Sequence, residues 1–242
     1  MSEAPVDLVA RIGAVRERIA AAAEAAGRSP VDVQLIAVTK THPPQLIQRT
    51  VDAGLADIGE NRVQELLDKR PLVEGARWHL VGRLQRNKVR DVVGQQVLVH
   101  SADRRRLIDA LSARAEREGV VQRILVQVNV GDDPAKGGCR LDEVDDLVAY
   151  ARQRPNLAVE GLMTIPPMPP DGVDAATAAR PLFAELRRRR DDLRARFPEV
   201  VHLSMGMTAD LEAAIAEGAT MVRLGTALFG ARGERPWRKD DG

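Results

Sequence analysis

The sequence predicts an α/β fold, a single-domain (β/α)8 TIM barrel, and three observations carry that prediction. Eight short aliphatic runs alternate with helical patterns along most of the chain, and strict alternation implies parallel strands joined by right-handed crossovers. The 242 residues are close to the roughly 250 that such a barrel uses. Aromatic residues make up only 2% of the chain against 44% hydrophobic residues, so the core must be built from Val, Leu, Ile and Ala, as suits strands buried on both faces. The alternative is an open doubly wound sheet. No Gly-x-Gly-x-x-Gly follows the first strand, which counts against its dinucleotide-binding form.

The elements follow in order. Residues 5–26 predict an extra N-terminal helix, with Leu8, Ile12, Val15 and Ile19 on one stripe. Gly27 suits the position past its last turn, and Ser29-Pro30 breaks the chain. The first strand spans 33–40, and Pro43-Pro44 starts a helix that stops at Gly54. Strands then fall at 56–59, 77–82, 96–100, 122–130, 157–162, 200–203 and 220–224. Helical patterns at 60–69, 85–93, 102–118, 141–152, 175–197 and 208–217 lie between them. Residues 1–232 are expected to form one domain, and the polar stretch 233–242 a disordered tail. The proline run 166–170 is expected to be a stiff loop, either a partial lid over the barrel mouth or a surface connection. The arginine run 187–190 predicts a solvated helix face, with Glu185, Asp191 and Asp192 nearby.

Composition excludes several function classes. A net charge of +1 makes no electrostatic case for nucleic acid. Cys139 is the only cysteine, so neither a disulfide framework nor a thiolate metal cluster is expected. With no signal-like start and no apolar run of membrane length, the expectation is a soluble, cytoplasmic protein, monomeric or weakly dimeric.

In a barrel, chemistry gathers at the C-terminal ends of the strands. Lys40 closes an otherwise apolar strand, where a desolvated amine loses its proton and becomes a nucleophile able to form an imine with a carbonyl; a snorkelling surface lysine is the plain alternative. After the seventh strand comes Ser204-Met205-Gly206-Met207-Thr208, with Thr208 placed to cap the next helix and Gly206 letting the backbone come close. After the eighth comes Arg223-Leu224-Gly225-Thr226. Both turns suit either an anion at a helix start or ordinary capping; together, beside a strand-end lysine, they suit phosphate. An imine-forming lysine and a phosphate cradle across one mouth point to pyridoxal 5′-phosphate. Arg223 could face that cofactor's pyridine nitrogen, where a guanidinium can only donate and so leaves a weak electron sink; it could instead pair with a carboxylate such as Glu60.

The sequence resembles the pyridoxal phosphate homeostasis proteins. The matching stretches include Leu35-Ile36-Ala37-Val38-Thr39-Lys40-Thr41, Ile58-Gly59-Glu60-Asn61-Arg62-Val63-Gln64-Glu65, His79-Leu80-Val81-Gly82-Arg83-Leu84-Gln85-Arg86-Asn87-Lys88 and Gly161-Leu162-Met163-Thr164-Ile165-Pro166. Ser204-Met205-Gly206-Met207-Thr208-Ala209-Asp210 and Val222-Arg223-Leu224-Gly225-Thr226-Ala227-Leu228-Phe229-Gly230 complete them. The resemblance implies a fold-type III barrel like the N-terminal domain of alanine racemase, with Lys40 as the cofactor's imine. It also implies Arg223 at the pyridine nitrogen, Asn61 at the ring hydroxyl, and Ser204, Thr208, Gly225 and Thr226 around the phosphate. The family often has serine where this chain has Thr208, and Lys-x-Gly plus an aliphatic residue where it reads Lys136-Gly137-Gly138-Cys139.

Racemases of this barrel type bring a catalytic tyrosine from a second domain. Here the only tyrosine, Tyr150, falls in the helix after the fifth strand, and His79, His100 and His202 read as structural. The expectation is therefore a carrier that holds the cofactor and hands it to apo-enzymes. The alternatives are a weak amino-acid racemase and an aldolase-type barrel whose substrate carries the phosphate.

Overall fold

The computed structural model describes residues 7–230; the predicted tail at 233–242 and the expected helix start at Pro5 lie outside them. Nine strands and nine α-helices are described: β1 Gln34–Val38, β2 Asp57–Glu60, β3 Arg77–Leu80, β4 Leu98–Ala102, β5 Gln122–Asn129, β6 Cys139–Arg140, β7 Leu157–Met163, β8 His202–Ser204 and β9 Met221–Leu224. The helices are α1 Leu8–Ala25, α2 Pro44–Asp52, α3 Val63–Lys69, α4 Val89–Val92, α5 Arg105–Glu118, α6 Val144–Arg152, α7 Ala175–Arg196, α8 Leu211–Ala216 and α9 Thr226–Phe229.

Eight strands pair in parallel in the order β4-β3-β2-β1-β9-β8-β7-β5, and a further β4–β5 pairing closes the cylinder. The first and last barrel strands meet along a seam in which Ile36 opposes Arg223 and Ala37 opposes Leu224. The two-residue β6 was not expected from the sequence. It pairs with the outer end of β5, Val128 opposite Cys139, and takes no part in closure.

The main core lies between the strands and the surrounding helices. Inside the cylinder a smaller cluster of Ile36, Leu98, Leu125, Met163 and Met221 fills the middle. These residues share the inward parity with Asp57, His79, His100, Ser204 and Arg223, because alternate residues of a strand face the same side. The barrel axis is therefore half apolar and half polar.

α8 and α9 are only six and four residues long, too short to cover the seam strands alone. The stripe of α1 (Leu8, Ile12, Val15, Ile19, Ala23) is buried, and α1 packs against both short helices. Arg28 ties this layer down, donating to the Ile215 and Ala219 carbonyls at 2.8 Å each.

Several boundaries differ from those expected. β1 stops at Val38, so Lys40 lies in the following turn and not in the strand. The pattern at 85–93 becomes a 3-10 turn, Arg86–Lys88, followed by the short α4. α8 begins at Leu211, so Thr208 is not its cap; Asp210 holds that position and accepts from the Met207 amide. The arginine run is not all solvated: Arg190 is buried and donates to the Val201 carbonyl.

Candidate functional site

A pocket of about 800 Å³, counted to its open mouth, lies at the C-terminal rim of the barrel. Lys40, Asn61, Thr208, Arg223, Gly225 and Thr226 all line it, from the ends of β1, β2, β8 and β9. Val38, Val81, Ile165 and Met207 supply its apolar wall, and His42 and Gly230 complete it.

The turn that carries Lys40 is held from behind. Thr39 is fully buried, and its hydroxyl donates to Glu60 Oε1 at 2.7 Å. Lys69, itself fully buried, donates to Glu60 Oε1 at 2.8 Å, to Glu65 Oε2 at 2.8 Å and to the Thr39 carbonyl at 3.0 Å. Thr41 adopts φ 71°, costly for a β-branched residue, and its amide donates to Glu65 Oε2 at 2.8 Å. Both neighbours of Lys40 are thus tied to one buried ionic cluster. Burial pushes the Glu60 carboxyl up despite Lys69, and its Oε2 has no hydrogen-bond partner. Glu65 is also pushed up by burial, but the Lys69 and Thr41 donors win and hold it low. This cluster settles the alternative for Arg223: Glu60 pairs with Lys69.

Arg223 is buried. Nη1 donates to Ser204 Oγ at 2.7 Å, and Nη2 donates to the Thr164 carbonyl at 2.8 Å. Burial lowers the guanidinium to about 10, so it remains charged at neutral pH. His42 is lowered by burial and then by Lys69, which keeps it neutral; its ring lies 4.8 Å from that of Phe229.

Two predicted site residues do not line the pocket. Ser204 is fully buried, its hydroxyl engaged by Arg223 and by His100 Nδ1 at 2.9 Å. Gly206 adopts φ +94°, and a Cβ there would come within 2.5 Å of Ala214 Cβ, so it serves the packing of α8 against the turn. Gly225 does line the pocket, and a Cβ there would sit 3.1 Å from the Val38 carbonyl across the seam. Ile165 reaches the wall, whereas none of residues 166–170 does. Cys139 is buried and its thiol is pushed up to about 12, chiefly by burial, which leaves it unreactive. Tyr150 lies on the outer helical ring, donating to Asp109 at 2.7 Å with Arg105 and Arg154 over its ring.

The residues present fit a compact anion that carries a carbonyl. Asn61 Oδ1 is buried without a hydrogen-bond partner in the pocket wall, and an amide offers a donor or an acceptor by a half-turn. α9 starts at Thr226, so its first amides have no carbonyl in a preceding turn.

The family described as alanine racemase, N-terminal domain, matches residues 11–233. The chain is 44% identical over 225 residues to the pyridoxal phosphate homeostasis protein of Aquifex aeolicus, across 92% of this chain and 97% of that one. It is 40% identical over 231 residues to the protein of that name from Escherichia coli K12, across 93% and 97%. This chain belongs to the pyridoxal phosphate homeostasis family. The family fold is seen in PipY of Synechococcus elongatus, solved with pyridoxal phosphate bound: the TM-score is 0.79 at 33% identity, over 93% of this chain and 100% of PipY. An alanine racemase from Clostridium difficile, 13% identical, shares the fold over 90% of this chain and 59% of its own, with a TM-score of 0.70.

Proposed function

We propose that this chain binds pyridoxal 5′-phosphate in the rim pocket, covalently at Lys40, and keeps and delivers the cofactor without transforming amino acids. The observation that carries this reading is the make-up of the pocket. Lys40, Arg223, an amide and two hydroxyls line it, and no carboxylate does among the described residues. Such a wall suits a dianionic phosphate and a phenolate on one small ring. The names of the relatives and the cofactor bound to PipY support the same ligand.

When bound, the cofactor supplies an aldehyde that forms a reversible covalent bond with an amine. The remaining roles belong to this chain. Lys40 Nζ is presented by a turn pinned at Thr39 and Thr41. Asn61 meets the ring hydroxyl, and the turns at Thr208 and at Gly225-Thr226 hold the phosphate. Arg223 meets the ring nitrogen as a donor only, which leaves that nitrogen unprotonated and the ring a poor electron sink.

A racemase remains the second reading because His42, a neutral imidazole, lines the same pocket. We place the protein in the cytoplasm, as a monomer or weak dimer that serves apo-enzymes needing the cofactor. Among the described residues no helix is long and apolar enough to cross a membrane.

The test is borohydride reduction of the cofactor-loaded chain, followed by peptide mass spectrometry. The added mass should lie on Lys40; an unmodified Lys40 with label elsewhere would sink the assignment. Incubation with L-alanine and chiral analysis then decides between carrier and racemase, since rapid racemisation is incompatible with a carrier.

A further inference from the structure

A continuous string of buried polar side chains crosses the barrel interior, and of its members only Arg223 lines the rim pocket. Arg223 Nη1 donates to Ser204 Oγ at 2.7 Å. Ser204 Oγ lies 2.9 Å from His100 Nδ1. His100 Nε2 lies 3.0 Å from His79 Nδ1, and His79 Nε2 lies 3.2 Å from Asp57 Oδ1. Asp57 also accepts from Arg77 Nε at 2.9 Å. From Asp57 to Arg223 every member is at most 5% exposed. Five strands contribute: β2, β3, β4, β8 and β9. The string begins in a cleft at the opposite end of the barrel, lined by Asp57, Arg77 and His79, and ends at the rim pocket.

The direction of each hydrogen bond follows from the two ends. A guanidinium has donors only, so Ser204 Oγ must accept from it. The serine hydroxyl then has one hydrogen to give, and His100 Nδ1 is within reach. With Nδ1 accepting, a neutral His100 carries its proton on Nε2, which meets His79 Nδ1. His79 in turn carries its proton on Nε2, which meets the Asp57 carboxylate. Every link holds one proton, both imidazoles are neutral, and all donors point from Arg223 toward Asp57. In the reverse arrangement His79 is charged and Ser204 accepts twice, which strands its own buried hydrogen and leaves a cation three links from Arg223.

We propose that Asp57, His79, His100 and Ser204 form a tautomer-locked relay that positions Arg223 and keeps its guanidinium a fixed donor toward the ligand of the rim pocket. The ligand itself rests on the function proposed above; the relay within the chain does not. Ser204 holds Nη1 and the Thr164 carbonyl holds Nη2, so the guanidinium plane is pinned from two sides while other N–H groups remain for the pocket. The negative end at Asp57 polarises each successive link, which makes Ser204 a better acceptor for the cation. Burial, the largest cause, lowers His100 well below its ordinary value, in accord with the neutral ring that the hydrogen-bond geometry requires. The charged and titratable neighbours are Asp57 and Arg77 at one end, Arg123 and the His202 imidazole along the flank, and Asp210 near Arg223.

Two measurements on the full chain test this. Nitrogen-15 NMR of the histidine rings in the unloaded protein at pH 7 should show His79 and His100 as neutral Nε2–H tautomers. A proton on His100 Nδ1, or a charged ring at either residue, overturns the relay whether or not the cofactor assignment holds. In the loaded protein, Ser204→Ala should weaken pyridoxal phosphate binding by about tenfold, as expected for losing a hydrogen bond to a charged group, and should move the pH midpoint of its absorption band. Ser204→Thr, which keeps the hydroxyl, should restore both. Unchanged affinity and band in Ser204→Ala overturns the positioning role. Failure of the wild-type chain to take the cofactor overturns the proposed function alone, and the unloaded spectrum still decides the relay.

Discussion

Lys40 lies two residues past the end of β1, in a turn whose flanking residues are both hydrogen-bonded to buried partners. An amine held this way needs no lid to fix its position, because the strain at Thr41 is balanced by the Glu65 carboxylate. Lys40→Ala should abolish the borohydride-stable adduct while leaving weak, reversible binding through the phosphate turns. Equilibrium dialysis with pyridoxal phosphate, beside intact mass after reduction, checks both halves, and full covalent loading of the variant would contradict them. The position of Lys40 and Arg223 at the rim pocket was legible in the sequence because each ends or nearly ends an aliphatic run, where charge has no packing reason to be. Ser204 was not legible in the same way. The resemblance implies a phosphate role for Ser204, and only the neighbouring strands reveal that its hydroxyl faces Arg223 and His100.

Among the elements, α3 does more than cover the sheet. It carries Lys69 and Glu65 into the cluster with Glu60 of β2, and two of the three side chains are fully buried. Lys69→Met leaves the Glu60 carboxylate buried without its cation, at a cost of about 3–5 kcal/mol. Adding Glu60→Gln should recover much of that loss, and urea unfolding of the single and double variants would show it; equal midpoints for the two would contradict the account. The turn before α8 offers a second check. Gly206→Ala combines a left-handed φ with a 2.5 Å approach to Ala214, so a loss of about 2 kcal/mol or more is expected in thermal unfolding. The brevity of α8 and α9 could not be read from the sequence. Thr208 satisfies the pattern for a cap, but the Asp210 carboxylate accepts from the Met207 amide and starts the helix later.

The molecule as a whole should weaken toward acid in two stages, for reasons in its interior. His100 is held neutral in the folded state, mainly by burial, while the unfolded chain takes up a proton near 6.5. The unfolded state therefore binds more protons below that value, and stability falls as pH drops through it. Asp57 behaves as a depressed carboxyl. Burial raises it, but the His79 and Arg77 donors outweigh burial and hold it at about 2 against 3.8. Its contribution of about 2 kcal/mol is present above pH ~4 and is lost between about 4 and 2. Urea midpoints at pH 7, 5.5, 4 and 3 test both stages, and a flat profile from 7 to 5 would rule out the first. The barrel was legible because strand and helix patterns alternate along most of the chain. The histidine string was not, since His79 and His100 come together only through the stagger of β3 against β4, which no spacing within the sequence encodes.

The seam between β1 and β9 has a consequence for synthesis. Lys40 follows the earliest barrel strand to leave the ribosome and Arg223 lies on the latest, yet they share one pocket wall. A nascent chain emerging N-terminus first exposes the amine long before any cradle exists to receive a ligand beside it. Cofactor capture must therefore be almost the last event of biogenesis, and a chain stalled before Met221 should emerge colourless however well its first half is formed.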